Sequence, residues 1–211
     1  MTGQPSYCGV ILAAGTSSRM GRDKALLPWP AGSATGTFLS RAIDVLGPTT
    51  EMVIVVAGEN EPSLRATVYA RAGYLVVNPE PARGQFSSLR VGLQAVLDRG
   101  HDGAVVVLVD RPPVKRATID RLQQALTESS EEDVWAVKPS YGGVHGHPLV
   151  MGRDMIEALL RAPAESTARD VLTLKANHVR YVEVDDANVI RNVNTPEEYE
   201  QAAKSLTGES A

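Results

Sequence analysis

Cysteine is almost missing from this chain: Cys8 stands alone, which excludes an internal disulfide framework and a thiolate zinc cluster. That scarcity fits a reducing, cytoplasmic setting. Positive charge is not in excess, since 21 Lys and Arg against 25 Asp and Glu leave a formal net charge of −4. A mildly acidic total argues against bulk nucleic-acid binding. Aromatic residues make up only 5% of the chain, and Trp29 and Trp135 read as packing groups rather than a base-stacking platform. Long apolar runs are also lacking. Stretches such as Ala104–Val109 fall far short of a membrane span. Residues 1–7 are too short and too polar for a secretory leader. A soluble, cytoplasmic protein is expected, with no membrane or nucleic-acid partner.

At 211 residues the length corresponds to about 1.4 average domains. With no linker-like stretch, the chain reads as one domain spanning 1–211, its core at about 7–205. Tyr7–Ala13, Glu51–Ala57, Tyr74–Val77 and Ala104–Val109 are short runs rich in Val and Ile. Such runs read as strands covered on both faces. Between them, Thr37–Leu46, Pro62–Ala72 and Ser87–Arg99 carry apolar residues at helical spacing, and Thr118–Leu126 continues the alternation. The pattern predicts an α/β, Rossmann-like three-layer sandwich with a mostly parallel sheet.

The second half predicts a small antiparallel excursion, with strands Val134–Pro139 and His147–Val150 about a glycine turn at Tyr141–Gly143. Helices follow at Arg153–Leu160 and Ser166–Leu174, a strand at Val179–Val184 and a last helix at Pro196–Ala203. Thr195, Pro196 and Glu198 have the spacing of a capping box. The acidic pairs in Glu131–Asp133 and Asp185–Asp186 are expected in solvated turns.

In open parallel sheets, ligands bind beyond the carboxyl ends of the strands. After the first strand comes Leu12-Ala13-Ala14-Gly15, a hydroxyl-rich stretch, and then Arg19, Arg22 and Lys24. Backbone N–H groups in such a loop cradle phosphate oxygens, and Arg and Lys supply countercharge. Neither G-x-G-x-x-G nor a P-loop is present, so an ordinary polar turn stays open as the alternative. After the third strand, Gly84, Gln85, Ser87 and Ser88 open a helix. Their N–H and hydroxyl groups suit a base edge or an anion, although Ser87 could simply cap the helix.

Asp110 ends the fourth strand and is followed by Arg111-Pro112-Pro113. A strand-end carboxylate suits Mg²⁺, which takes one or two protein carboxylates plus phosphate oxygens. A turn-forming role is the alternative. His145 and His147 lack a third ligand for zinc. A structural hydrogen bond is the alternative role for His147.

Leu12–Gly15, Arg19-Met20-Gly21 and Lys24 together resemble the signature loop of the molybdenum cofactor cytidylyltransferase and guanylyltransferase family. Asn78-Pro79 with Gly84–Arg90, then Asp110, Gly146-His147-Pro148 and Asn192-Val193-Asn194-Thr195-Pro196 resemble its later segments in the same order. The resemblance covers about residues 8–200. Arg111 departs from it, since a small or polar residue is usual there.

The resemblance implies transfer of a nucleotide from a nucleoside triphosphate to molybdopterin with release of pyrophosphate. Arg19, Lys24 and Asp110 would be the catalytic residues, and Mg²⁺ would be held by Asp110 and Asn194. Leu12, Ala13, Ala14, Gly15, Arg19, Lys24, Gly84, Gln85, Ser87 and Ser88 would bind the nucleotide, and Gly143 and His147 the second substrate. A molybdoenzyme or its chaperone would be a further partner. In the family, Leu-Ala-Ala-Gly goes with cytidylyl transfer, which favours CTP. Asn192 and Asn194 resemble guanylyl members instead. Rival readings are a nucleotidyltransferase for another phosphorylated metabolite, a non-catalytic nucleotide-binding module and a nicotinamide-dependent oxidoreductase.

Overall fold

A computed structural model describes residues 6–15, 23–129, 132–193 and 195–207, the last five by backbone alone. Arg19, Glu131 and Asn194 lie outside the described residues. The first half alternates strand and helix: β1 (Tyr7–Leu12), α1 (Phe38–Leu46), β2 (Met52–Ala57), α2 (Glu61–Tyr69), β3 (Tyr74–Val77), α3 (Gln85–Asp98), β4 (Gly103–Leu108) and α4 (Arg116–Glu128). Then come β5 (Ala136–Tyr141), β6 (Val144–His145), β7 (Leu149–Gly152), α5 (Arg153–Arg161), α6 (Ala168–Leu174), β8 (Val179–Glu183) and α7 (Pro196–Thr207). Local chemistry sets several of these bounds. Thr37 begins α1 because its hydroxyl accepts from Ser40 N at 3.1 Å while Ser40 Oγ accepts from Thr37 N at 2.8 Å.

The sheet runs β3-β2-β1-β4-β7-β5-β6, with β8 also paired to β5. Strands β1, β2, β3 and β4 are mutually parallel, β7 is antiparallel to both β4 and β5, and β8 lies parallel to β5. The chain therefore steps outward from β1 to β3, and α3 carries it back to the far side of β1. That reversal creates a switch point between β1 and β4.

Successive residues of the buried strands serve opposite layers. Ile11 and Val55 pack with α1, α2 and α4 through Leu39, Ile43, Leu64, Val68, Ile119 and Leu122. Val10 and Ile54 pack with α3, α5 and α6 through Leu93, Val96, Met155, Leu159 and Val171. Each such side chain contributes about 1.5–3 kcal/mol on burial, so both faces of the sheet need their helices. A smaller cluster joins Leu27, Trp29 and Phe38 to Val193 and Ala202, and Tyr199 Oη donates to Pro28 O at 2.7 Å. Trp29 is thus a packing group, and α7 fastens the segment that follows the first loop.

Three expectations change. The strand expected at His147–Val150 begins only at Leu149, because Pro148 has no N–H for a ladder bond. A glycine-tipped hairpin at Gly142-Gly143 (φ 57° and 78°) joins β5 to β6, and His147 lies beyond it, in the short connection from β6 to β7. Ser87 is no helix cap, since α3 starts two residues earlier behind Gly84. Asp186 is not solvated. It is buried, and its carboxylate accepts from Lys115 N (2.7 Å), Thr118 Oγ1 (2.8 Å) and Asn188 N (3.1 Å). It fastens the turn 187–190 to the start of α4, a partnership no local pattern announces.

Candidate active site

At the switch point a cavity of about 390 Å³ opens beyond the carboxyl ends of β1 and β4. Leu12, Ala14 and Gly15 form one wall, Gly84, Gln85 and Ser88 another, and Lys24 and Asp110 face it from between. Ala13 stands behind the wall: it is buried, and its N–H donates to Val56 O at 2.8 Å. Ser87 is likewise outside the lining, with its hydroxyl donating to Gly84 O at 2.8 Å. Gly143 lies at the exposed tip of the β5–β6 hairpin, away from the lining.

Lys24 sits in a short 3-10 turn, Lys24–Leu26, capped by Asp23, whose Oδ1 accepts from Ala25 N at 3.0 Å. The other Asp23 oxygen accepts from Asn60 Nδ2 at 2.7 Å. Asn60 also donates to Ala13 O (2.9 Å) and accepts from Gly58 N (3.1 Å), so one carboxamide joins the ends of β1 and β2 to the Lys24 turn. The sequence reading missed Asn60. Its only local signal is an Asn after Gly58-Glu59 at a strand end, which reads as a turn former.

On the opposite wall, buried Asn78 donates to Ser87 Oγ (2.8 Å) and Ser88 Oγ (3.0 Å) while its Oδ1 accepts from Glu80 N (2.9 Å). This fixes the loop before α3 against the helix start. Arg90 turns away, donating to Leu160 O and Ala162 O at the end of α5.

Lys24 Nζ lies 3.9 Å from Asp110 Oδ2, with 14% of the lysine side chain and 32% of the aspartate side chain exposed. Asp110 Oδ1 is buried and has no hydrogen-bond partner among the described residues. A desolvated carboxylate oxygen without a donor is costly unless a cation completes it. Among the described residues no group of three or more His, Cys, Asp or Glu could hold a metal ion. Asp110 therefore fits an ion that takes most of its ligands from phosphate oxygens and water, as Mg²⁺ does.

The Gly146-His147-Pro148 segment has a structural task. A Cβ on Gly146 would lie 2.1 Å from Val189 O, and His147 N donates to that carbonyl at 2.8 Å. Arg111 Nη1 reaches toward Val189 O and Arg191 O at 3.4 Å each. Val193 N then donates to Asp110 O at 3.0 Å. Together these contacts bring the segment ahead of Asn194 back against Asp110. Burial and the charges of Arg111 and Lys138 push the His147 pKa down to about 3, so the ring is neutral near pH 7.

Residues 9–183 match the model of the MobA-like NTP transferase domain. The chain belongs to this family. Members are nucleotidyltransferases. The chain is 26% identical to the molybdenum cofactor cytidylyltransferase of Escherichia coli K12 over 199 residues, covering 94% of this chain and 96% of that one. It is 31% identical to a probable molybdenum cofactor guanylyltransferase of Rhodopirellula baltica over 195 residues, covering 91% and 89%. The crystal structure of Rv0371c from Mycobacterium tuberculosis superposes with a TM-score of 0.78 at 28% identity, covering 94% of this chain and 98% of that one. A complex of Rv0371C with manganese superposes with a TM-score of 0.69 at 25% identity, covering 95% and 99%.

Proposed function

We propose that the chain transfers a cytidylyl group from CTP to the phosphate of a molybdopterin-type acceptor, releasing pyrophosphate, with Mg²⁺ as its ion. The observation that carries this is the pairing of Lys24 with the half-orphaned Asp110 at the mouth of the switch-point cavity. The cavity is large enough for a nucleotide moiety, and ligand sites of this kind commonly measure about 300–1,000 Å³.

A phosphate nucleophile is already ionised near neutral pH, so the reaction asks for no dedicated general base. Its needs are alignment and neutralisation of charge that builds up as pyrophosphate leaves. Gly15, at the cavity wall, would offer a backbone donor, and Lys24 would supply fixed positive charge beside the phosphates. Asp110, with Asn194, would hold the ion, which supplies the largest local countercharge when bound. Manganese in a related protein supports a divalent ion. Ser88 and Gln85 would bound the base and sugar from the helix side. CTP is favoured because the Ala14 methyl, which lies against Gly58, narrows the cavity wall.

The test is pyrophosphate release from each of the four nucleoside triphosphates, with Mg²⁺ and with or without molybdopterin. Release that requires both CTP and molybdopterin is expected. Release with another phosphorylated acceptor alone would replace the acceptor, and a tenfold or larger preference for GTP would replace the donor.

A further inference from the structure

A second carboxylate reaches the switch-point cavity, and the transfer chemistry leaves it unused. Glu59 lines the cavity from the loop that follows β2. It is exposed, and no hydrogen bond or ion pair holds its carboxylate among the described residues. Its backbone, by contrast, is tied down. Glu61 N donates to Gly58 O at 3.1 Å and Gly58 N donates to Asn60 Oδ1 at 3.1 Å, which closes a tight turn with Glu59 at its tip. The turn is also wedged in place, since a Cβ on Gly58 would lie 3.0 Å from Ala14 O and 3.2 Å from Pro81 Cβ. Glu59 therefore stands where the first loop meets the segment before α3.

Among the described residues, the side chains with polar ends at this cavity are Lys24, Glu59, Gln85, Ser88 and Asp110. Lys24 and Asp110 face each other at 3.9 Å. Gln85 and Ser88, on the helix wall, can each donate and accept, so neither distinguishes an amino edge from a carbonyl edge. An ionised carboxylate only accepts. Glu59 is thus an acceptor-only group with no cation opposite it. Its charge also orients a nucleotide, because the triphosphate is drawn to Lys24 and repelled by a free carboxylate. The base is the part of the nucleotide left to meet Glu59.

We infer that Glu59 is a specificity-determining residue that accepts a hydrogen bond from the exocyclic amino group of the base, so that the site takes CTP and rejects UTP. The inference rests on the nucleotidyl-transfer reading for the nature of the cavity's ligand. Cytosine offers the N4 amino group as a donor, whereas uracil carries the acceptor oxygen O4 at the same position. Opposite Glu59, uracil sets two acceptors against each other. Guanine also carries an amino group, so Glu59 does not separate CTP from GTP, and that choice stays with the Ala14 wall.

The test is calorimetric binding of CTP and of UTP to the full chain with Mg²⁺, in wild type and in Glu59→Gln. Wild type is expected to bind CTP about 10- to 100-fold more tightly than UTP, the range for a hydrogen bond to a charged group. In Glu59→Gln that ratio is expected to fall by about tenfold or more, because the amide can turn its N–H groups toward uracil O4. The position is exposed, so the substitution leaves the core untouched. Equal binding of the two nucleotides by wild type overturns the inference. So does a Glu59→Gln variant that binds both more tightly with their ratio unchanged, since Glu59 would then act only by repelling phosphates. A CTP preference that is lost in Glu59→Gln, without pyrophosphate release on any acceptor, would keep Glu59 as the reader of the base and overturn the transferase reading.

Discussion

The carboxamide of Asn60 donates to the Asp23 carboxylate at 2.7 Å, and through that bond the end of β2 holds the turn that presents Lys24. The same nitrogen donates to Ala13 O at 2.9 Å, so the end of β1 and the turn that carries Lys24 are braced from one point.

Asn60→Ala removes this brace without touching the cavity lining. Turnover is expected to fall about 10- to 100-fold through misplacement of Lys24, with stability lowered by about 1–3 kcal/mol. Steady-state kinetics beside urea denaturation measures both. A variant with unchanged kcat would show that the Lys24 turn holds its place unaided.

Asp110→Ala and Lys24→Ala are each expected to cut kcat by about 10²–10³-fold. Neither change removes core volume, so melting temperatures should stay near wild type. In Asp110→Ala, nucleotide still binds weakly through the loop, but Mg²⁺ no longer strengthens binding. Lys24→Ala should lower kcat more than it raises KM, because charge on the phosphates rearranges as pyrophosphate leaves. An effect confined to KM would make Lys24 a ground-state anchor.

Gly146→Ala places a methyl 2.1 Å from Val189 O, where backbone must give way. The expected cost is about 1–3 kcal/mol or somewhat more. Because residues 187–193 lead back to Asp110, activity should fall further than the loss of folded protein explains. Activity per folded molecule, taken at a temperature where the variant is fully native, separates the two.

Folded His147 stays neutral down to about pH 3, whereas an unfolded histidine takes up its proton near pH 6.5. The unfolded state therefore binds more protons between these values, and His147 makes stability fall as pH drops through that window. His147→Asn should flatten the acid limb of a stability-versus-pH curve from denaturant midpoints. An unchanged limb would mean the ring is not held neutral. Above pH 6.5 the residue should add no inflection.

Ala14→Gly removes the methyl that lies at the cavity wall beside Gly58. One methyl group discriminates substrates by about 1–3 kcal/mol. The ratio of kcat/KM for CTP to that for GTP is expected to move toward GTP. No movement would locate base recognition elsewhere.

Much of this molecule was legible locally. Strands β1, β2 and β4 lie within a residue or so of their expected runs, because a strand buried on both faces must be a short, continuous apolar run; β3 keeps its expected bounds but is an edge strand with Tyr74 and Val77 exposed, not one covered on both faces. The cavity-lining residues Ala14, Gly15, Lys24 and Asp110 stood out because glycine, lysine and strand-end aspartate carry phosphate and metal chemistry in short segments. What the sequence could not display is contact between distant residues. Asp186 looked like a solvated acid until Thr118, 68 positions away, was seen to satisfy it. Likewise Asn60 gains its role from Asp23 across 37 positions, and Gly146 from the Val189 carbonyl. By itself the sequence determined the alternation of strands and helices and the chemistry at each strand end, since both follow from side chains within a few residues. Tertiary structure alone decided which loops meet at the β1–β4 switch point, and which polar groups are buried, because those depend on long-range packing that brings remote backbone and charge together.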